Sequence, residues 1–178
     1  MELRKLEKPN IIIIDRFINN PDLVFNKIRD TVNWDERIKA RKTASFGVVY
    51  NYSDLTYPEI PMLQYLIPIC KSIETTIGFY PNNCLMNYYL DGNSKMGYHS
   101  DSTEELKQNT GVVIISLGAT RKISYRNKLN PECKVQYQLK NGALLYMNHR
   151  VQQKWMHAIP QAKNVGERIS LSFRKIVK

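Results

Sequence analysis

Three polar side chains in the second half of the chain have the types and the order of a metal site. His99 and Asp101 stand two residues apart in a polar segment, and His157 follows far downstream. Residues two apart in extended backbone point to the same side, so His99 and Asp101 could act together. Two imidazoles and one carboxylate can hold iron(II) on one face and leave the opposite positions open. An isolated H-x-D pair is more often a surface pair, so this interpretation needs support elsewhere.

A strand-like segment near the end of the chain supplies that support. Residues 168–174 read R-I-S-L-S-F-R, which puts two arginines and two serines on one face and three apolar residues on the other. At about 3.3 Å per residue, the Cα atoms of Arg168 and Arg174 lie roughly 20 Å apart, and their side chains leave a gap about one small dicarboxylate long. The alternative is an amphipathic edge strand whose arginines face water. The upstream histidines and aspartate favour the pocket.

The third histidine, His149, follows an apolar run that is typical of a strand ending in a turn. We assign it a structural role or a role at the edge of the substrate site. Ligation by His149 is not required, because Asp101 already completes the set of three ligands.

The elements that must position these residues fall into two groups. One helix is predicted to begin at Pro21 with Asn20 as its N-cap, and a second to run over about residues 61–78, where Pro68 should kink or interrupt it. Beyond residue 84, short β-runs separated by turn residues predict a barrel or sandwich. The predicted strands are residues 85–90, 111–117, 122–125, 134–138, 143–147, 155–159 and 168–177.

We therefore predict a mainly β fold with flanking helices, built on a double-stranded β-helix, or jelly roll. The 178 residues, 43% of them hydrophobic, are expected to form one domain, residues 1–178. The longest apolar runs, residues 11–14 and 112–115, are far shorter than the roughly 20 residues that span a bilayer. The start lacks a signal-peptide core, so we expect a cytoplasmic protein, or a nuclear one in a eukaryote. Three cysteines without a C-x-x-C are expected to be reduced thiols.

The charge balance suggests a polyanionic partner. Twenty-six lysines and arginines against 16 acidic residues give a formal charge of +10, with basic clusters at residues 37–42, 121–128 and 150–154. Phosphate contacts would give salt-dependent affinity, and aromatic side chains near the first cluster could stack on an extruded base. These aromatics are Trp34, Phe46, Tyr50 and Tyr52. The alternative is a basic protein with no role in nucleic-acid binding.

Several segments, in order and spacing, resemble the AlkB-type iron(II)/2-oxoglutarate-dependent dioxygenases, which repair alkylated nucleic acids. The resemblance covers most of the chain. It is carried by Asn87-Tyr88-Tyr89-Leu90-Asp91-Gly92, the pair His99-x-Asp101, the run 113–126 with Ser116-Leu117-Gly118-Ala119, Gly142-Ala143-Leu144-Leu145, Trp155-Met156-His157, and residues 168–174.

The resemblance implies a role for each matching residue. His99, Asp101 and His157 would be the iron(II) ligands and the catalytic centre. The residues that would hold the cosubstrate 2-oxoglutarate are Asn87, Tyr89, Arg168, Ser170 and Arg174. The other end of 2-oxoglutarate would chelate the metal and leave one position for O2. An arginine suits a carboxylate better than a lysine because it donates two parallel hydrogen bonds. Which arginine binds which carboxylate stays open.

The resemblance also implies a nucleotide-recognition lid over about residues 34–56, above a catalytic core of about residues 84–178. A hairpin predicted over residues 41–53 resembles the segment that relatives place over a flipped base. Candidate substrate-binding residues are Arg41, Phe46, Tyr50, Tyr52 and Thr103. Family members hydroxylate the N-alkyl carbon of a base in DNA or RNA, and the hemiaminal collapses to release formaldehyde, with succinate and CO2 as coproducts. A base methylated at a Watson-Crick nitrogen pairs weakly, which lowers the cost of flipping it.

Three positions depart from the family pattern. The family strand is usually R-x-N-x-T-x-R, whereas this chain has Ser170 and Ser172, a change beside the ligands that can shift affinity or activity about 10- to 100-fold. Thr103 stands where many relatives carry an acid near the base. Residues 34–42 are also shorter than the segment with which some relatives wedge duplex DNA apart. We therefore predict single-stranded nucleic acid, or a flipped alkylated base, as the partner, and we expect a monomer.

Two other functions stay open. An oxygenase that hydroxylates a small molecule or a protein side chain would keep all the same ligands. A jelly-roll binding module without activity would require the metal triad to be vacant, and the retained His99, Asp101 and His157 give that alternative little support.

Overall fold

Antiparallel β-sheets form the framework of the computed structural model, which describes residues 7–52 and 54–177, apart from the side chain of Tyr52. The strands are β1 (Ile11–Ile14), β2 (Lys42–Gly47), β3 (Tyr50–Tyr52), β4 (Leu55–Tyr57), β5 (Asn83–Tyr89), β6 (Met96–His99), β7 (Gly111–Gly118), β8 (Arg121–Asn127), β9 (Lys134–Leu139), β10 (Ala143–Asn148), β11 (Trp155–Ile159) and β12 (Arg168–Arg174). The helices are α1 (Pro21–Thr31), α2 (Ile67–Ile77) and α3 (His149–Lys154).

The strands form a six-stranded sheet in the order β1-β10-β7-β12-β5-β2 and a four-stranded sheet in the order β6-β11-β8-β9. A separate hairpin joins β3 to β4. β12 lies between β7 and β5, well inside the larger sheet. The interpretation of β12 as an edge strand with solvent-facing arginines is therefore wrong, and both of its arginines are buried.

Two apolar cores occupy the two faces of the six-stranded sheet. On the outer face, α1 and α2 pack against the apolar residues of β12, namely Ile169, Leu171 and Phe173. On the inner face, side chains of both large sheets meet in a second core, to which Leu85 of β5 and Tyr125 of β8 contribute. The polar residues of β12 alternate with its apolar ones, so they face this inner space. The predicted jelly-roll arrangement places them there.

The helices follow the sequence prediction with two corrections. α1 begins at Pro21 as predicted, but the Asn20 side chain makes no capping hydrogen bond, and Asn20 itself adopts a left-handed conformation that asparagine tolerates. Pro68 does not kink a long helix. A single 3-10 turn, Gln64–Leu66, leads into α2, and Pro68 occupies the first turn of α2, where its missing N–H costs nothing. Gly78 ends α2 as expected, at φ 95°.

The predicted hairpin over residues 41–53 is wrong. β2 pairs with β5 at the edge of the six-stranded sheet, and β3 pairs instead with β4, so the hairpin covers residues 50–57. The sequence analysis also assigned no strand to β1 or β6 and read α3 as a turn. These elements are four to six residues long, too short for their periodicity to be decisive. No helix in the described part of the chain is long and apolar enough to cross a membrane.

Candidate active site

One cavity between the two large sheets brings together the eight residues predicted to bind the metal and the cosubstrate. It is lined by Asn87, Tyr89, His99, Asp101, His157, Arg168, Ser170 and Arg174, together with Ser172. Apolar side chains complete the wall: Leu85, Met96, Ile114, Ile123 and Ile159. These residues come from six strands and one loop of the fold, so the cavity exists only when the two sheets pack together.

A compact metal-binding cluster occupies one end of this cavity. One ligand atom from each of His99, Asp101 and His157 lies within 4.8 Å of the other two. The two histidines are direct cross-strand partners on β6 and β11, and their ring centroids are 4.4 Å apart. Asp101 lies just beyond the end of β6, with its Oδ2 atom 3.6 Å from His157 Nε2. Two imidazoles and a carboxylate on one side of a cavity suit iron(II).

The electrostatics keep the ligand atoms in the forms that bind metal. Burial lowers the pKa of His157 to about 4, so its imidazole is neutral at physiological pH and keeps a lone pair. Burial raises the pKa of Asp101, but the charge and hydrogen bond of the Arg174 guanidinium are the chief opposing influence, and this pKa lies below its ordinary value. His99 Nδ1 lies 2.9 Å from the Gly97 carbonyl, which can only accept a hydrogen bond. The His99 proton therefore sits on Nδ1, and Nε2 is available to a metal.

The two arginines of β12 lie at opposite ends of the cavity. Arg174 donates from Nη2 to Asp101 Oδ1 over 2.9 Å, so it belongs to the metal end. Arg168 donates from Nε to Ser116 Oγ over 2.9 Å at the far end. Its two terminal nitrogens are buried and have no hydrogen-bond partner among residues 7–52 and 54–177. A buried guanidinium fork of this kind fits a carboxylate that enters the cavity.

Side chains of β5 and β8 support the far end. The guanidinium of Arg168 lies 5.1 Å from the centre of the Tyr89 ring, and that of Arg121 lies 5.6 Å from the same ring. Arg121 also donates to three backbone carbonyls, those of Asp91, Ser94 and Pro160. Burial lowers the pKa of Arg168, because it removes water from the charged guanidinium and the neighbouring groups replace little of that stabilisation. The far end is therefore strongly electropositive and selects an anion.

The structure places the candidate substrate residues in different surroundings. Arg41 and Tyr50 line a second opening that also reaches His99 and Asp101. Arg41 donates to the Asn87 side chain over 2.8 Å, and the Arg174 guanidinium lies 4.7 Å from the centre of the Tyr50 ring. These contacts join the β3–β4 hairpin and the start of β2 to the metal end.

Of the other three candidates, the structure places two away from this opening. Phe46 packs in the outer core with the helices, on the face of the six-stranded sheet away from the cavity, so its assignment to substrate stacking is corrected. Thr103 lines a separate surface cavity with Leu106 and His149. The side chain of Tyr52 falls outside the described residues, so its predicted role stays a prediction.

Three contributors to the site were missed by the sequence analysis. Ser116 accepts the hydrogen bond of Arg168, Arg121 packs against Tyr89, and Gln152 contacts Asp101. Ser116 lies directly across from Ser170 in the sheet, so the pairing of β7 with β12 would have identified it. The sequence contains no local signal for Arg121 or Gln152, because Arg121 contacts carbonyls 27 or more positions away and Gln152 contacts Asp101, 51 positions away.

Comparisons with known proteins agree with this geometry. A family model described as the 2OG-Fe(II) oxygenase superfamily matches residues 24–174. The chain belongs to this superfamily. Its description names both iron(II) and 2-oxoglutarate, which confirms the prediction of these cofactors, and the oxygenases of the superfamily use O2.

Individual relatives place the chain in the AlkB-type branch of the superfamily, as predicted. It is 33% identical to the protein named DNA oxidative demethylase ALKBH2 of Bos taurus in an alignment of 148 residues that covers 77% of this chain and 53% of that protein. It is 28% identical to alpha-ketoglutarate-dependent dioxygenase alkB homolog 3 of Rattus norvegicus, over 89% of this chain and 61% of that protein. An uncharacterised protein of Acanthamoeba polyphaga mimivirus is 33% identical, with 80% of this chain and 76% of the viral protein covered.

The likeness to a solved structure supports the fold alone. The structure titled OsALKBH1 superposes with a TM-score of 0.70 at 16% identity and covers 96% of this chain and 100% of that chain. The predicted jelly-roll fold is confirmed by this likeness and by the sheet order. The chain spans between 53 and 62% of the length of the mammalian ALKBH2 proteins that it matches.

Proposed function

We propose that this protein is an iron(II)- and 2-oxoglutarate-dependent dioxygenase that removes methyl groups from N-alkylated bases in DNA or RNA. The observation that carries the proposal is the single cavity with a His-Asp-His cluster at one end and the buried fork of Arg168 at the other. A ligand that fills both ends needs a metal-chelating group and a distant carboxylate, and 2-oxoglutarate has both. The names of the ALKBH2 and alkB homolog 3 relatives support a nucleic-acid substrate.

The residues of the chain have distinct tasks in this reaction. His99, Asp101 and His157 would hold iron(II), which together with 2-oxoglutarate and O2 supplies the oxidising equivalents for hydroxylation of the alkyl carbon. Arg168, supported by Ser116 and Tyr89, would orient the far carboxylate of 2-oxoglutarate through two parallel hydrogen bonds. The apolar wall of the cavity would exclude water from the cosubstrate.

The second opening is the proposed entry for the base. It exposes His99 and Asp101 beside Arg41 and Tyr50, so a base held there lies next to the metal end of the cavity. Tyr98 lines the same opening, with the Arg126 guanidinium 4.3 Å from the centre of its ring. An aromatic ring that already stacks on an arginine is a suitable platform for an extruded base.

A basic surface beside this opening supports a polyanionic partner. On the outer side of the four-stranded sheet, Arg126 of β8 stands directly opposite Lys134 of β9. Lys122 lies on the same face of β8, two residues before Ser124. Like charges placed directly opposite each other destabilise a sheet. Phosphates that bind to this surface would relieve the repulsion, and such binding would weaken as salt increases.

Three finer features remain part of the proposal. The alkylated base is presented by single-stranded nucleic acid or is flipped from a duplex, a preference supported by residues 34–42, which are shorter than the segment with which some relatives wedge duplex DNA apart. The protein acts as a monomer, and it works in the cytoplasm or, in a eukaryote, in the nucleus.

A single assay tests the function. Purified protein is incubated with iron(II), ascorbate, 2-oxoglutarate and oligonucleotides that carry 1-methyladenine or 3-methylcytosine, as single-stranded DNA, duplex DNA or single-stranded RNA. We expect succinate and the mass loss of one methyl group to appear together, fastest on single strands. The matched control omits 2-oxoglutarate.

Each contrary outcome has a separate meaning. The absence of succinate with every substrate would refute the proposed dioxygenase activity. Succinate without any change in oligonucleotide mass would favour an oxygenase that acts on a small molecule or a protein. Faster reaction on duplex DNA would overturn the preference for single strands.

A further inference from the structure

The three side chains of the metal cluster are not held equally well by the backbone. His99 and His157 belong to β6 and β11, where they face each other in a hydrogen-bonded ladder. Asp101 lies two residues beyond the end of β6, in a segment without regular secondary structure. The sheet therefore fixes two of the ligands, and other contacts must hold the third.

Gln152 makes the contact that holds the backbone at Asp101. Its Oε1 atom accepts a hydrogen bond from the Asp101 backbone N–H over 3.0 Å. Its Nε2 atom lies 3.4 Å from Asp101 Oδ2 and 3.7 Å from Met147 Sδ, and donates towards both. The Gln152 side chain is buried, with 3% of the residue exposed. One amide thus binds both the main chain and the carboxylate of Asp101.

The helix that carries Gln152 is fixed at both ends. α3 has only six residues, too few to be stable by itself. The Asn148 side chain accepts from the backbone N–H of Val151 at the start, and Lys128 Nζ donates to the Gln152 carbonyl over 2.7 Å near the end. The neighbouring Trp155 is 2% exposed and anchors the chain where β11 begins. Gln152 is therefore presented from a rigid support.

Two partners divide the Asp101 carboxylate between them. Arg174 binds Oδ1 over 2.9 Å, and the Gln152 amide lies on the side of Oδ2, the oxygen that faces His157. With Oδ1 held by Arg174 and the backbone held by Gln152, the rotation of the carboxylate is restricted and Oδ2 points into the cluster. One residue earlier, Ser100 Oγ donates to the Trp155 carbonyl over 2.9 Å, and Gln152 adds the hydrogen bond to the backbone N–H of Asp101 itself.

We propose that Gln152 is a positioning residue for the metal centre, which it serves by holding Asp101 in the orientation that binds iron(II). The proposal rests on the proposed function, since it assigns Asp101 to the metal. Residues that orient a metal ligand through hydrogen bonds change metal affinity by about 10- to 100-fold when they are replaced.

The test compares two neighbouring glutamines of the same helix. Gln152→Met keeps the length of the side chain and removes both hydrogen bonds to Asp101. Gln153→Met is the matched control, because Gln153 is exposed. Binding of Mn(II), a redox-inactive stand-in for iron(II), is measured by titration with no substrate present, and the absorption spectrum of the Co(II) form reports on ligand geometry.

We expect Gln152→Met to weaken Mn(II) binding about 10- to 100-fold and to change the Co(II) spectrum. Gln153→Met should bind Mn(II) within about twofold of the unmodified protein. Gln152→Ala is measured in parallel, and a folded variant of either kind that binds Mn(II) as tightly as the unmodified protein would overturn the proposal. If neither variant folds, Gln152 is a folding residue and the proposal is equally overturned.

These outcomes are separate from the fate of the proposed function. The unmodified protein could bind Mn(II) and fail to demethylate any oligonucleotide, which would refute the proposed substrate and leave the comparison of Gln152 with Gln153 intact.

Discussion

Arg168 and Arg174 lie six residues apart on the same face of β12, and both are buried. At the two ends of the cavity, however, their side chains make different contacts. Arg174 has a carboxylate partner within the protein, Asp101, at 2.9 Å. Arg168 has a neutral partner, Ser116, and its two terminal nitrogens are without a hydrogen bond to any described residue. The metal end is thus charge-compensated by the fold, and the far end is built for an anion that the fold does not supply.

The two arginines therefore have different roles, which the sequence pattern alone does not distinguish. A buried cation without a counter-charge is destabilising, so its retention at Arg168 points to a ligand. A buried cation beside a metal-binding carboxylate does other work, because it lowers the pKa of Asp101 and keeps it ionised. Substitutions at the two ends should therefore affect different measurements.

The largest effect is expected from Asp101→Ala. This change removes the carboxylate of the metal cluster and leaves Arg174 buried without its acidic partner. We expect succinate formation to fall below detection and the free energy of unfolding to drop by about 3–5 kcal/mol, the usual cost of breaking a buried ion pair. Turnover and denaturant unfolding measure the two effects. Glu104→Ala, an exposed acid three residues on, is the control, and a fully active Asp101→Ala would disprove the triad.

Arg168→Lys should act on the cosubstrate alone. Lysine keeps the charge and one hydrogen bond but loses the second parallel one, worth about 1.5–3 kcal/mol to a charged partner, so the KM for 2-oxoglutarate should rise roughly 10- to 100-fold. Steady-state succinate formation measures this KM. Mn(II) affinity without 2-oxoglutarate should stay unchanged, and a loss of metal affinity here would break the division between the two ends.

Arg174→Lys should show the opposite pattern. The ammonium group keeps a positive charge near Asp101 but holds its carboxylate less firmly, so Mn(II) affinity should fall about 10-fold, the lower range for groups that orient a metal ligand. Titration with Mn(II) measures the change. If the Mn(II) affinity of this variant equalled that of Arg168→Lys, the two arginines would not differ in the way that their contacts indicate.

The smallest effect is expected at Ser170, which lies between the arginines on the same face of β12, two residues from Arg168. Ser170 is buried and lines the cavity, and its hydroxyl makes no hydrogen bond to another residue in the described part of the chain. Ser170→Ala should change the KM for 2-oxoglutarate by less than about threefold, because no strong bond is lost. A larger rise would show that the hydroxyl contacts the cosubstrate, and Ser72→Ala, on the exposed surface of α2, is the control.

Much of the site could be predicted because its residues carry strong local patterns. The alternation along β12 correctly separated its buried polar face from its buried apolar face, since the period of a strand is two wherever the strand lies. The spacing of His99 and Asp101 indicated a shared direction, and the structure brings both to the same cluster as His157.

Pairing and packing over long distances escaped prediction. The start of β2 was assigned to a hairpin because its neighbour in sequence is β3, but the edge of β5 offered the longer ladder. Phe46 was assigned to the substrate side because it lies close in sequence to the basic cluster at residues 37–42. The register of β2 on β5 turns it towards the helices. A one-residue change of register reverses which face a side chain occupies, and register depends on the partner strand.

The sequence by itself determined three things: the residue types for a metal cluster and for arginines that can bind carboxylates, their order along the chain, and a fold class able to enclose them. The tertiary structure decided which arginine serves which end, which aromatic side chains face the opening, and how Gln152 reaches Asp101 across 51 positions. Residue type and strand period are properties of short segments. Distances across a cavity depend on how two sheets pack, and that packing is set by contacts between residues far apart in the chain.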